Sequence, residues 1–189
     1  LAVARALARA GARVAITYLR NKPDAEAAQK GLQALCGPDR PVELFQGDVS
    51  DSKHVKAVVA DLTAKWGGID ILVNNAGITQ VLPIALVEES DWDQVMDTNV
   101  KGAFLFSRAI VKGMIKQKRG AILNIGSFAS ERMIEAPVHF AASKSALHAM
   151  ASASTRGATV TLDNSPNQAW QRLREPGLST RERDRRAPR

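Results

Sequence analysis

The sequence contains very little cysteine and no long apolar run. Cys36 is the only cysteine among 189 residues, which excludes an intrachain disulfide and any metal site built from several cysteine ligands. No stretch reaches the roughly 18 consecutive apolar residues typical of a membrane-spanning helix. The sequence opens at Leu1 on a helical pattern, in which neither a signal peptide nor a transit segment is readable. We therefore expect a protein of the reducing cytoplasm with no membrane partner.

The composition is that of an ordinary globular domain with a basic end. Hydrophobic residues make up 45% and charged residues 24% of the chain, and the formal net charge is +7. The first 150 residues hold 18 basic and 15 acidic side chains, whereas residues 151–189 hold eight arginines, no lysine and four acidic residues. A basic tail can attract polyanions. Because the body is nearly balanced in charge, we expect no specific nucleic-acid partner.

Helical and strand patterns alternate through residues 1–150. Helices are predicted over 1–10, over 23–35, around the apolar stripe Val55, Val58, Val59 and Leu62, from an N-cap at Ser90 towards Lys116, and over 140–150. Strands are predicted over 13–19, 42–46, 69–73 and 121–125. This alternation predicts βαβ units and a parallel sheet, with ligands at the carboxyl ends of the strands.

Residues 151–189 have a different character. Their only branched aliphatic residues are Val160, Leu162, Leu173 and Leu178, and we find neither a strand pattern nor a sustained amphipathic stripe. The closing TRERDRRAPR has a composition typical of disorder. We expect a partial nucleotide-binding domain over 1–150 and a divergent basic tail over 151–189. A reading-frame change would explain the tail, and an uninterrupted correct frame in the nucleotide sequence would contradict that hypothesis.

Five motifs follow the predicted elements in a fixed order. They are Gly47-Asp48-Val49 after the second strand, Asn74-Asn75-Ala76-Gly77 after the third, Thr98-Asn99-Val100 on the long helix, Ser127 after the fourth strand, and FAASK from Phe140 to Lys144. Over residues 1–150 this order resembles the short-chain dehydrogenase/reductase family, particularly its branch of 3-oxoacyl thioester reductases. The resemblance implies a doubly wound α/β sheet of the Rossmann type and an NAD(P)-dependent oxidoreductase acting on a small-molecule carbonyl or secondary alcohol.

Several residues are implied to bind the coenzyme. By the resemblance, the carboxylate of Asp48 accepts from the adenine amino group and the backbone of Val49 flanks the ring, although Asp48 could instead cap the next helix. Asn75, Ala76 and Gly77 would form a tight turn close to the ligand, because glycine has no Cβ to obstruct it.

Coenzyme preference is set at the end of the first predicted strand. An acidic residue there favours NAD, and an arginine accommodates the 2′-phosphate of NADP. The stretch from Tyr18 to Asn21 contains Arg20, and no acidic residue precedes Asp24. This stretch therefore predicts NADP rather than NAD.

The implied catalytic positions are Asn99, Ser127, Phe140 and Lys144. Asn99 is a poor helix former in a helix interior. The resemblance implies that it holds a water molecule in a proton relay to the active-site lysine. Ser127 would hydrogen-bond the substrate carbonyl. Lys144 would hold the nicotinamide ribose and lower the pKa of a neighbouring tyrosine, whose place is taken here by Phe140. Among the histidines only His139, beside Phe140, adjoins these positions.

Three departures from the family pattern predict impaired activity. The glycine-rich loop and its strand, expected immediately before Leu1, are missing, and so is the strand expected after Met150. Phe140 has no proton to donate, and a positioned general acid is worth about 10² to 10⁴ in rate. We therefore expect an incomplete sheet. Alternatives are a non-catalytic nucleotide-binding protein, a homo-oligomer formed through the helices at 90–116 and 140–150, and a non-functional fragment.

Overall fold

The computed structural model describes residues 1–130, 135–153 and 159–163. It confirms the predicted alternation of helices and strands. The helices are α1 (Ala2–Arg9), α2 (Lys22–Cys36), α3 (Ser52–Trp66), α4 (Glu89–Met96), α5 (Gly102–Gln117) and α6 (Val138–Ala153); the strands are β1 (Ala15–Tyr18), β2 (Glu43–Gln46), β3 (Ile71–Asn74), β4 (Ala121–Ile125) and β5 (Thr159–Asp163). Among these described elements, no helix combines the length and the apolar character needed to cross a membrane.

All strand pairs are parallel, but the strands form two sheets. β1 pairs with β2, and β3, β4 and β5 form a second sheet with β4 in the centre. Within the described residues no ladder joins β1 to β3. The predicted α/β class, with an incomplete parallel sheet, is confirmed.

The expectation of no strand after residue 150 is wrong. β5 pairs with β4 over five residues, from Ala121 opposite Thr159 to Ile125 opposite Asp163. The sequence TVTLD is short and has only two aliphatic residues, so it carries little pattern of its own. Its pairing depends on the neighbouring β4, a non-local influence that commonly decides strand formation. The rest of the predicted tail lies outside the described residues.

Local contacts of the side chains and backbone mark where α2 and α3 begin and where α3 ends. The Asn21 side chain accepts from the backbone N–H of Asp24 at 3.2 Å at the start of α2. Asp51 accepts from the backbone N–H of Lys53 at 2.8 Å at the start of α3. Gly67 ends α3 with φ 80°, the left-handed conformation that favours glycine. The glycine therefore accounts for where α3 ends.

The long helix expected from Ser90 differs in two ways. Its N-cap is Glu88 rather than Ser90: Glu88 and Asp91 form a capping box, in which Asp91 Oδ2 accepts from the Glu88 backbone at 3.2 Å. A π-helical turn, Asp97–Lys101, then separates α4 from α5. Such turns carry wider backbone bonding and occur frequently at functional sites. The one here contains the almost fully buried Asn99.

The apolar core connects the two sheets through a helical layer. Val55, Val58 and Leu62 of α3 cluster with Phe106 of α5, which confirms three of the four residues of the predicted stripe as buried. Side chains of both sheets pack against this cluster: Ala15, Phe45 and Leu72. Burying a large apolar side chain contributes about 1.5–3 kcal/mol, so the α3/α5 layer holds β1, β2 and β3 in place.

Candidate functional site

The structure brings several of the predicted catalytic residues together at the carboxyl ends of β3 and β4. Lys144 of α6 reaches the end of β4, where its Nζ donates to the Ile125 carbonyl at 2.8 Å. Its neighbours on the other side are the ring of Phe140, with Nζ 5.7 Å from the ring centroid, and the loop at Gly77. Ser127 follows Ile125 by two residues in the loop after β4.

Lys144 is a buried lysine with no acidic partner among the described residues. Only 6% of its surface is exposed, and within the described ranges it forms no ion pair. Burial lowers the pKa of its ammonium group below the ordinary lysine value, because loss of water penalises the charged form. A lysine held in this way is a candidate for function.

Asn99 is fixed by three hydrogen bonds. Its Nδ2 donates to the Ile78 carbonyl at 3.0 Å and to Ser143 Oγ at 2.9 Å, while its Oδ1 accepts from the Ile78 N–H at 2.8 Å. Both amide hydrogens are therefore used. A relay water of the kind that the family resemblance implies could bind only an oxygen of this residue, so that role stays a prediction.

The loop after β3 approaches these side chains closely. A Cβ added at Gly77 would lie 3.4 Å from Asn99 Oδ1 and 3.6 Å from Lys144 Nζ. Asn75 and Ala76 precede it on the same exposed loop. Asn74, at the end of β3, donates to Asn124 Oδ1 on β4 at 2.8 Å. This bond joins the carboxyl ends of β3 and β4.

Asp48 lies just beyond the carboxyl end of β2, and its carboxylate is held by hydrogen bonds from the turn that follows. Asp48 Oδ1 accepts from the backbone N–H of Ser50 at 2.8 Å and from its hydroxyl at 2.7 Å. These two bonds lower the pKa of Asp48 below its ordinary value. The alternative that Asp48 caps the next helix is wrong, because Asp51 is the N-cap of α3.

Val49 and Arg20 lie just beyond the carboxyl ends of β2 and β1. Val49 packs against Gly102, at which a Cβ would lie 2.7 Å from Val49 Cγ2. Arg20 is exposed just beyond β1, and its side chain makes no hydrogen bond or ion pair to the described residues. The backbone next to Arg20 is bound to β2, because Gln46 Nε2 donates to the Leu19 carbonyl at 3.4 Å.

Two further buried polar residues on α6 were not singled out as site residues by the sequence reasoning. Ser143 is fully buried, and His139 is fully buried with neither ring nitrogen hydrogen-bonded in the described part of the chain. Together with Leu147 they recur every four residues on one helix face, and this spacing could have revealed them. No group of three or more His, Cys, Asp or Glu residues suited to a metal ion occurs in the described ranges.

Comparison with known proteins gives one consistent family. The short chain dehydrogenase family model matches residues 1–159. The chain is 37% identical over 127 residues to a 3-oxoacyl-[acyl-carrier-protein] reductase of Staphylococcus aureus, covering 66% of this chain and 50% of that protein. It is 35% identical over 130 residues to the Thermotoga maritima protein of that name, with coverages of 69% and 52%. The chain thus spans about half the length of these curated relatives.

Solved structures of similar fold include two that contain NADP. A metagenomic short-chain oxidoreductase in complex with NADP has a TM-score of 0.77 at 30% identity, covering 85% of this chain and 74% of that one. A gluconate 5-dehydrogenase from Burkholderia cenocepacia in complex with NADP and tartrate has a TM-score of 0.69 at 33% identity, with coverages of 79% and 57%.

Proposed function

Because this chain belongs to the short-chain dehydrogenase family, to whose model residues 1–159 match, we propose that its fold serves hydride transfer between NADP and a carbonyl or secondary alcohol. We propose further that the chain itself is impaired in this reaction. The contact between Lys144 and Phe140 carries both parts, because the buried lysine has no acidic partner among the described residues and the ring beside it is that of a phenylalanine.

The residues present fit NADP along most of its length. Asp48 Oδ2 accepts no hydrogen bond from the described residues, so it remains open to an adenine amino group while Ser50 holds Oδ1. Arg20 is exposed at the position for a 2′-phosphate. Asn75, Ala76 and Gly77 offer an exposed backbone turn, and Lys144 offers a buried cation for the nicotinamide ribose. The NADP in two similar structures supports this choice.

The chain's own residues would divide the remaining work. When bound, NADPH supplies the hydride. Ser127 would donate a hydrogen bond to the substrate carbonyl, and Lys144 would orient the coenzyme through its ammonium group. The proton for the carbonyl oxygen needs a donor at position 140, and the phenylalanine ring has none. A positioned acid of this kind is worth about 10² to 10⁴ in rate, which is roughly 3–5 kcal/mol of barrier.

A non-catalytic NADP-binding protein is the second candidate. The distance of 5.7 Å between Lys144 Nζ and the Phe140 ring is within the range of a cation–π contact, so the aromatic packing of the site is retained without its chemistry. Such a protein could also assemble, since α5 exposes Phe104 and Ile115. Assembly without turnover, measured by size-exclusion chromatography and light scattering, would favour this candidate over the impaired enzyme.

NADPH binding by the chain and by Phe140→Tyr, followed by coenzyme fluorescence, tests the proposal. We expect both proteins to bind, and we expect only the tyrosine variant to reduce a 3-oxoacyl thioester or a simple ketone, at least 10²-fold faster than the unmodified chain. Lys144→Ala in the tyrosine background is the control and should lose the gained activity. Absence of binding by both proteins would contradict the coenzyme assignment, and equal turnover would contradict the impairment.

A further inference from the structure

A buried hydroxyl connects α6 to the rest of the candidate site. We propose that Ser143 is a positioning residue which, through Asn99, holds the loop at Gly77 and Ile78 against Lys144. Its catalytic meaning rests on the proposed function, whereas the contacts themselves do not. Ser143 lies within the FAASK motif, but the roles implied for that motif belong to Phe140 and Lys144.

The hydrogen bonds around Ser143 have only one consistent direction. Ser143 is fully buried, and its hydroxyl donates to the Phe140 carbonyl at 2.7 Å. The oxygen must then accept from Asn99 Nδ2, at 2.9 Å. With its Nδ2 directed at Ser143 and at the Ile78 carbonyl, the Asn99 amide turns Oδ1 towards the Ile78 N–H. Ser143 thereby fixes which way the buried amide points.

This chain of bonds joins three separate segments. Ser143 belongs to α6, Asn99 to the π-helical turn, and Ile78 to the loop after β3. Gly77 precedes Ile78, and a Cβ there would come within 3.6 Å of Lys144 Nζ. Lys144 in turn follows Ser143 on α6. The loop and the lysine are therefore held at a fixed separation by one hydroxyl and one amide.

Removing the hydroxyl should release the loop while leaving the helix packed. Ser143→Ala leaves one buried amide hydrogen of Asn99 without a partner. The amide cannot recover it by rotating 180° because Oδ1 would then face the Ile78 carbonyl. The Asn99 side chain, no longer held by Ser143, would then weaken its bond to the Ile78 N–H. Ile78 lies in the loop after β3, far along the sequence from α6.

Amide hydrogen exchange at Ile78 tests this inference directly. In Ser143→Ala we expect the Ile78 amide to exchange at least tenfold faster, while the Leu123 amide on central β4 keeps its rate. Ser143→Thr retains the hydroxyl and should restore slow exchange at Ile78. Ser145→Ala is the matched control, because Ser145 is exposed on the same helix. Unchanged exchange at Ile78 in Ser143→Ala would overturn the inference.

If Ser143→Ala does not fold, Ser143→Cys takes its place, because a thiol is a weaker donor and acceptor. We then expect an intermediate acceleration at Ile78, and its absence would equally overturn the inference. These measurements require neither NADPH nor turnover, so their failure is distinct from failure of the proposed function. In an active Phe140→Tyr background, Ser143→Ala should lower kcat more than it raises KM, and Ser145→Ala should change neither.

Discussion

Replacing Gly102 with alanine should destabilise the protein, whereas the same replacement at Gly113 should stabilise it. Both glycines lie on α5. A Cβ at Gly102 would lie 2.7 Å from Val49 Cγ2, 3.1 Å from its Cβ and 3.4 Å from its backbone carbon. Nothing lies within 4 Å of a Cβ at Gly113. The backbone of Gly102 has helical φ and ψ angles of −57° and −49°, which alanine adopts readily. Alanine is therefore disfavoured by the contacts of its Cβ and not by the backbone conformation.

The expected magnitudes follow from these contacts. Alanine in a helix is more stable than glycine by about 0.5–1 kcal/mol, and Gly113→Ala should show this gain in full. At Gly102 the same gain is opposed by overpacking, which costs about 1–3 kcal/mol. Val49 is β-branched and has few rotamers with which to move away. We therefore expect a net loss of about 1 kcal/mol for Gly102→Ala.

Urea unfolding followed by circular dichroism measures both variants against the unmodified chain. The two midpoints should move in opposite directions with unchanged slopes. Val49 adjoins Asp48, so Gly102→Ala should also weaken NADPH binding, and Gly113→Ala should not. If Gly102→Ala is as stable as Gly113→Ala, then α5 does not approach the turn after β2 as closely as the contact with Val49 requires.

Two buried groups on α6 give further predictions. Burial lowers the pKa of Lys144 in the folded protein below the ordinary lysine value of 10.5. At a pH between the folded and the unfolded pKa, the folded protein therefore binds fewer protons than the unfolded chain. Its stability should therefore rise with pH relative to Lys144→Met up to about pH 10, and a difference in unfolding free energy that does not change with pH would refute this. His139→Leu should raise the unfolding free energy by about 1–3 kcal/mol, because neither ring nitrogen is hydrogen-bonded within the described residues. A loss of stability on thermal denaturation would contradict this prediction.

Much of the fold could be predicted from local pattern. The four strands before residue 130 lie within or at the edge of their predicted ranges. The predictions that were wrong concerned features that depend on residues outside the local pattern. Glu88 rather than Ser90 begins α4 because Asp91 completes its capping box, and the wider bonding of the π-helical turn has no marker in the apolar spacing. β5 forms beside β4, which no local pattern could reveal.

The site was predicted in outline and not in its connections. The motifs located Lys144, Asn99 and the loop of Gly77, and these three lie together. Sequence alone could not show that Ser143 saturates the Asn99 amide, because that bond joins residues 44 apart. Nor could it show that His139 is enclosed without a hydrogen-bond partner in the described part of the chain. Hydrogen bonds between distant buried residues depend on the packed fold and leave little trace in spacing.

The division of the strands into two sheets has a consequence for how the protein opens. β1–β2 and β3–β4–β5 share no backbone ladder in the described residues and meet through side chains on the α3/α5 layer. Among the described residues, separating the two sheets would break side-chain contacts but no strand hydrogen bonds. We therefore expect each sheet with its helices to unfold as its own cooperative unit, or foldon. Asp48 and Arg20 belong to one unit and Lys144 to the other. A dinucleotide that contacts both units would act as a cross-link. Its binding would then make the two units unfold together rather than separately.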